Sequence, residues 1–307
     1  MAKQKSKRKI SPALIILILI LLGVFIFSGY KLLSTMLEYR KSAQEYDNLR
    51  GYTDEDAADK KHVLTAEEVA SGQLKCPISV DFDALKEINE DIIGWIYIKD
   101  VDISYPSTQS KDNDSYLHRT FRRTYNFAGS IFADFENASD FSDPNTILYG
   151  HNMKNDSMFG RLDELVEKEK DVEEPYFWIL VPGAEYCYAM FDMQRVDPYD
   201  EIYTLFHGTD ETFVQYAEKC AKESSVDLPE QKFTTDSKIV TLSTCTNDSK
   251  ARFVVQGVRV GSINHTPDEN AGPAGSSGDD DSSRDKSEEK SSGGQEDEYS
   301  QFVTETE

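Results

Sequence analysis

The chain is short of cysteine, of histidine and, relative to its acids, of positive charge. It has four cysteines, Cys76, Cys187, Cys220 and Cys245, and no two of them form a C-x-x-C pair. That argues against a paired-thiol zinc site and against a thioredoxin-like motif. No acidic cluster resembles a calcium loop, so neither a metal nor a cofactor is expected. Two disulfides are possible in an exported chain, but Cys187 and Cys220 read more simply as small buried apolar residues. Lys and Arg number 33 against 56 Asp and Glu, a formal net charge of -23. A nucleic-acid binder needs a basic face to neutralise phosphates, so that function class is disfavoured. Much of the acidity sits near the C-terminus and says little about a folded surface. There is no internal repeat and no second long apolar run.

One long apolar run is present. Ile10 to Tyr30 carries no charge and is rich in Leu and Ile. A run of about 20 residues suffices to cross a bilayer as a helix. Lys3, Lys5, Lys7, Arg8 and Lys9 precede it, which favours a cytoplasmic N-terminus. A cleaved signal peptide is the competing reading, but the run is long for one and no A-x-A-like site follows.

These features divide the chain. Residues 1–9 form a basic cytoplasmic N-terminus and residues 10–30 a transmembrane signal anchor. Residues 31–75 form a juxtamembrane stalk and lead-in, with helical stretches around Leu37–Leu49 and Thr65–Ser71. Residues 76–262 form the folded domain and residues 263–307 an acidic tail. The tail is mostly Gly, Ser, Asp and Glu, too poor in apolar groups to offset the entropy of ordering, and is expected to be disordered.

Within the folded domain Asp83–Asn89 reads as a short helix. Eight short apolar runs then recur: Trp95–Ile98, Ile103–Tyr105, Gly129–Ala133, Thr146–Tyr149, Phe177–Val181, Tyr186–Met193, Lys238–Ser243 and Phe253–Val260. Each has strand length and is rich in β-branched or aromatic residues, with Pro, Gly, Asn and Asp between them. The pattern predicts a mostly β fold, a largely antiparallel barrel or sandwich. One helix interrupts it, with Thr209 as its expected cap and Phe213, Ala217, Cys220 and Ala221 on one face.

Three residues carry candidate chemistry. Thr241-Leu242-Ser243-Thr244-Cys245 ends an apolar strand with a thiol at its mouth, where partial exposure and thiolate stabilisation are available. A lone cysteine after a strand is as readily structural, so its neighbours matter. Arg252 begins the next strand across a short polar loop, and a hairpin would bring its guanidinium back to Cys245 to stabilise an oxyanion. His151 ends another strand, Thr146–Gly150, and is placed for proton transfer. Of the other histidines, His118 and His207 read as surface residues, His62 precedes the barrel and His265 lies in the tail.

Tyr149-Gly150-His151-Asn152-Met153 and Met158-Phe159, together with Thr241–Cys245 and Arg252, resemble the sortase family. Gly94-Trp95-Ile96-Tyr97-Ile98, Ile103-Ser104-Tyr105-Pro106, Asn113, Tyr116-Leu117 and Gly129-Ser130-Ile131-Phe132 resemble class B sortases. The resemblance covers about Asp83 to Val260. It implies a closed sortase-type β-barrel of about eight strands, with N-terminal helices and one inserted helix. It implies a cysteine transpeptidase with His151, Cys245 and Arg252 as catalytic residues. It places Asn113 and Ser243 near a bound sorting peptide, with Ile202 and Tyr203 lining the same groove. The implied partners are secreted proteins bearing a sorting signal, a lipid-linked peptidoglycan-precursor amine, and the membrane. The implied location is the cell membrane of a Gram-positive cell, with a single pass and an extracellular catalytic domain. Three alternatives remain open from sequence: a pilin-polymerising sortase, a plain cysteine protease, and a non-catalytic surface protein whose acidic tail binds a partner.

Overall fold

Short apolar runs between turn residues favour strands, and the computed structural model contains all eight of the expected ones. It describes residues 11–55, 61–166, 172–245 and 250–265, and of Cys245 the backbone. The expected basic N-terminus, most of the acidic tail and most of the loop after Cys245 lie outside the described residues.

Helix α1, Pro12–Arg50, opens the chain, capped by Ser11 with proline in its first turn. An apolar stretch and a separate polar stalk were expected from the change in composition near Tyr30. The structure instead has one uninterrupted helix of 39 residues, about 58 Å long at 1.5 Å per residue. Its first half has a mean hydropathy of 2.8 and buries nothing against the protein. Its last turns change character, burying Ser42, Tyr46 and Leu49. The Tyr46 hydroxyl donates to the Gly129 carbonyl at 2.6 Å, and Tyr39 meets Phe127 edge-on at 4.7 Å. The composition changes at Tyr30 because the helix passes from an all-apolar surface to one that docks along a single stripe.

A small antiparallel ribbon follows, of β1 (Thr53–Glu55) and β2 (Ile78–Val80), with helix α2 (Ala66–Ser71) between them behind a Thr65 capping box. Helix α3, Phe82–Ile88, buries Leu85 and leads into the barrel.

The barrel strands are β3 (Ile92–Ile98), β4 (Ile103–Thr108), β5 (Ile131–Ala133), β6 (Asn145–His151), β7 (Tyr176–Val181), β8 (Ala184–Val196), β9 (Ile239–Cys245) and β10 (Arg252–Asn264). They close in the order β10-β8-β7-β3-β4-β5-β6-β9. Closure leaves no strand edge to pair with another chain. Six of the neighbouring pairs are antiparallel; β4 with β5 and β6 with β9 are parallel. Parallel neighbours need long crossovers. The β6–β9 crossover holds helix α4 (Leu162–Val166), strands β7 and β8, and helix α5 (Glu211–Glu223). The interior is filled by large side chains, Trp95, Trp178, Phe177 and Tyr188 among them.

Helix α5 buries Phe213, Tyr216, Ala217 and Cys220, the expected apolar face. Its cap is Asp210 rather than Thr209: the Asp210 carboxylate accepts from the Thr212 amide. Strand β10 also runs past the expected domain end, to Asn264. His265, expected in the tail, is tied to the barrel by its amide on the Gly183 carbonyl and its ring on Glu185. Cys187 and Cys220 are buried free thiols, as their surroundings in sequence suggested.

Candidate active site

The parallel pairing of β6 with β9 brings the site together. In its register His151 stands level with Cys245, each the last residue of its strand. On the other side of β9, Val254 of β10 pairs with Ser243. Two residues further toward the loop, Arg252 opens β10 beside the end of β9. Three adjacent strands thus end together, with His151, Cys245 and Arg252 in one row. Thr244 pins the turn, its hydroxyl accepting the Phe253 amide at 3.0 Å.

His151 is half-buried and held from several sides. Its Nε2 lies 2.7 Å from the Leu117 carbonyl. A carbonyl only accepts, so Nε2 carries a hydrogen there and proton exchange falls to Nδ1. Its own carbonyl accepts the Phe159 amide at 3.1 Å, across a tight turn in which Asp156 and Met158 adopt positive φ. Gly129, at φ +58°, backs the ring: a Cβ there would stand 3.1 Å from His151 Cδ2. The exposed His118 ring lies roughly parallel to that of His151 at 6.5 Å between centroids, and Tyr125 lies tilted against His118 at 6.3 Å.

Beside the row lies an open groove of ≈ 310 Å³. Its floor is Phe132 of β5, Tyr149 of β6, Ser243 of β9 and Arg252 of β10. These belong to consecutive strands. Asn113 and Leu117 form one wall, from the β4–β5 connection, and Pro198 and Tyr203 the other, from the segment before α5. The Tyr203 hydroxyl reaches Ser243 Oγ at 2.8 Å, closing that wall onto the floor.

A buried polar network supports this wall from beneath. Gln256 donates to the Tyr216 and Thr241 hydroxyls, and Thr241 donates to Asn145. Tyr216 and Asn145 both donate to carbonyls of the wall segment, Tyr216 to Ile202 at 2.7 Å and Asn145 to Thr204 at 3.1 Å. These bonds tie the wall segment to the barrel interior, although the buried Gln256 Oε1 has no partner among the described residues.

Comparison with known proteins agrees with this geometry. A sortase-domain family model matches residues 96–260, more than half of the chain. The chain belongs to the sortase family. Sortases are cysteine transpeptidases. Sortase B of Listeria monocytogenes is 36% identical over 245 residues, covering 78% of this chain and 94% of that protein. The sortase B–substrate complex of Staphylococcus aureus superposes with a TM-score of 0.59 at 25% identity, covering 75% of this chain and all of that one. Sortase B from Bacillus anthracis gives 0.58 at 28% identity, over 74% and 99%. The closed eight-stranded barrel is the one these relatives share.

Within this sortase the expected site residues fall into two groups. His151, Cys245 and Arg252 share the row, and Asn113, Ser243 and Tyr203 line the groove. Ile202 does not: it is 1% exposed and packs in the core beneath the wall, offering only its carbonyl to the network. In the one-turn 3-10 helix Glu201–Tyr203 adjacent side chains point apart, and the half-buried Tyr203 takes the position facing the groove. His118 is exposed, as expected, with its ring 6.5 Å from that of His151. Tyr149 and Phe132, which sequence reading used only as motif letters, are floor residues. Among the described residues no three His, Cys, Asp or Glu side chains converge on a metal position.

Proposed function

We propose that this sortase cleaves a C-terminal sorting signal on secreted proteins and joins the acyl half to an amine of a peptidoglycan precursor. The supporting observation is the common row of His151, Cys245 and Arg252 at the end of a peptide-sized groove.

The Cys245 thiolate attacks the carbonyl carbon before the scissile bond, a threonine carbonyl in signals of this kind, and the carbonyl electron pair moves to oxygen. The Arg252 guanidinium stabilises that oxyanion. As the tetrahedral centre collapses, the C–N bond breaks and His151 protonates the departing amine, leaving a thioester on Cys245. The acceptor amine attacks the thioester, gives its proton to His151, and releases the thiolate as the new amide forms. Two proton transfers in opposite senses suit an imidazole, whose ordinary pKa lies near neutrality. Asn113, Ser243, Tyr149 and Tyr203 hold the peptide in the groove.

The apolar half of α1 anchors the enzyme as a single membrane span, with its N-terminus in the cytoplasm and its barrel outside. A helix that continues unbroken into the barrel holds the groove at a fixed height above the bilayer. Substrate emerging from the membrane and a lipid-linked acceptor then meet the site at high effective concentration.

The test incubates the enzyme with an internally quenched peptide bearing threonine before the scissile bond, with and without an amine acceptor. Cleavage that depends on Cys245 and yields amide product when amine is present is expected. Activity that survives Cys245→Ala contradicts the assignment, and hydrolysis alone in abundant amine identifies a protease.

A further inference from the structure

Asp134 follows β5 directly, in a turn rich in Asp and Asn, and belongs to none of the motifs above. It is a carboxylate only 6% exposed. Burying a charge is costly unless hydrogen bonds replace its water. Three do so here. Asn113 Nδ2 donates to its Oδ2 at 2.8 Å and the Tyr149 hydroxyl to the same oxygen at 2.9 Å. The Glu136 amide donates to Oδ1 at 3.0 Å. Two of these three donors line the groove.

The bonds settle the polarity of the wall. Asn113 Oδ1 accepts the Phe135 amide at 3.0 Å while Nδ2 serves Asp134. With a donor on one side and a carboxylate on the other, the amide has one orientation; its flip would set oxygen against oxygen and N–H against N–H. An Asn amide has two N–H hydrogens, and among the described residues only Asp134 takes one. The second is therefore presented as a donor. The Tyr149 hydroxyl has spent its hydrogen on Asp134, so any further partner meets it as an acceptor.

We propose that Asp134 is a positioning residue that fixes Asn113 as a hydrogen-bond donor and Tyr149 as an acceptor toward the bound peptide. The two groups then fit one extended peptide's backbone, its carbonyl toward Asn113 and an N–H toward Tyr149. This rests on the transpeptidase reading of the groove. A supporting group of this kind holds a contact residue in its productive geometry before substrate arrives.

The test uses the full chain and the quenched threonine peptide. Asp134→Ala should raise KM roughly tenfold or more, the scale of a lost charge-assisted hydrogen bond, with kcat changed less than about twofold. Asp134→Asn, which keeps one acceptor to face Asn113 and Tyr149, should recover most of the loss. Asn113→Ala should reproduce part of the rise, and adding Asp134→Ala to it should cost less than Asp134→Ala costs alone, the remainder being its effect on Tyr149. A wild-type KM in Asn113→Ala overturns the proposal, as does additivity in the double variant. A readout without peptide is the side-chain amide of Asn113 by NMR: rigid in the wild type and mobile in Asp134→Ala. Equal mobility in both overturns the proposal even if the wild type cleaves no peptide, an outcome that counts separately against the transpeptidase reading.

Discussion

Gly129→Ala probes how the His151 imidazole is held. The residue sits at φ +58°, where an L side chain crowds its own backbone, a cost of about 1 kcal/mol. The new Cβ would stand 2.7 Å from the carbonyl oxygens of both Leu117 and Tyr116. Neither can swing aside like a side-chain tip. The Leu117 carbonyl holds His151 Nε2, and the Tyr116 carbonyl holds the Ser130 amide at 2.9 Å. The opposite face of the peptide is pinned by Tyr46. Overpacking of this kind adds about 1–3 kcal/mol. The sum, about 2–4 kcal/mol, lowers Tm by roughly 4–16 °C in a domain of this size. Relief of the clash has to move the Leu117 carbonyl, and the imidazole moves with it. We expect kcat to fall at least about tenfold while KM stays within about twofold, because the displaced group acts on proton transfer. Thermal melting by circular dichroism and steady-state cleavage of the quenched peptide measure the two effects. A variant that melts within about 2 °C of wild type and keeps its kcat refutes this account of the ring's support.

Two further predictions concern buried ionisable groups. Burial pushes the thiols of Cys187 and Cys220 up to about 12, so both stay protonated near neutral pH. Iodoacetamide at pH 8 should spare both in the folded enzyme and label both in urea, as peptide mapping would show; labelling of either in the native state contradicts their packing. Asp192, fully buried in β8, has its carboxyl pushed up to about 7, first by burial and then by the charges of Glu223 and Asp200. Unfolded, it titrates near 3.9. Between roughly pH 4 and 7 the folded chain binds this proton more tightly, so its contribution to stability falls as pH rises through that window. Asp192→Asn, which can still accept from Gln194, should flatten the decline and be the more stable protein at pH 8, by up to a few kcal/mol. Urea denaturation at pH 5 and pH 8 tests this, and an equal pH dependence in both proteins refutes it.

The strands were legible because each is a short apolar run rich in β-branched or aromatic residues, bounded by its own turn residues. Which strands lie side by side was not. The parallel contact of β6 with β9 joins segments nearly a hundred residues apart, and nothing local to Thr146–Gly150 or Thr241–Thr244 names the other as partner. Cys245 and His151 could be singled out as strand ends, but their common row came only with that pairing. The continuity of α1 was hidden for a different reason. Polarity changes at Tyr30, yet a helix can turn from a lipid-facing cylinder into an amphipathic one without breaking, and no proline stops it there. Asp134 was overlooked because a polar residue in a polar loop looks solvated. Only packing shows that its carboxylate is shut beneath Asn113 and Tyr149. Ile202 was misplaced by a single residue, which in a one-turn helix is enough to exchange the groove for the core.

The central claim is that Cys245 carries the acyl group. Intact-mass spectrometry of the enzyme quenched in acid during turnover of the threonine peptide tests it most directly. The account predicts an adduct equal to the peptide's N-terminal portion, located on Cys245, released by hydroxylamine or by the acceptor amine and absent in Cys245→Ala. An adduct on Cys76, Cys187 or Cys220, or turnover with no adduct under conditions where acceptor is withheld, would contradict it.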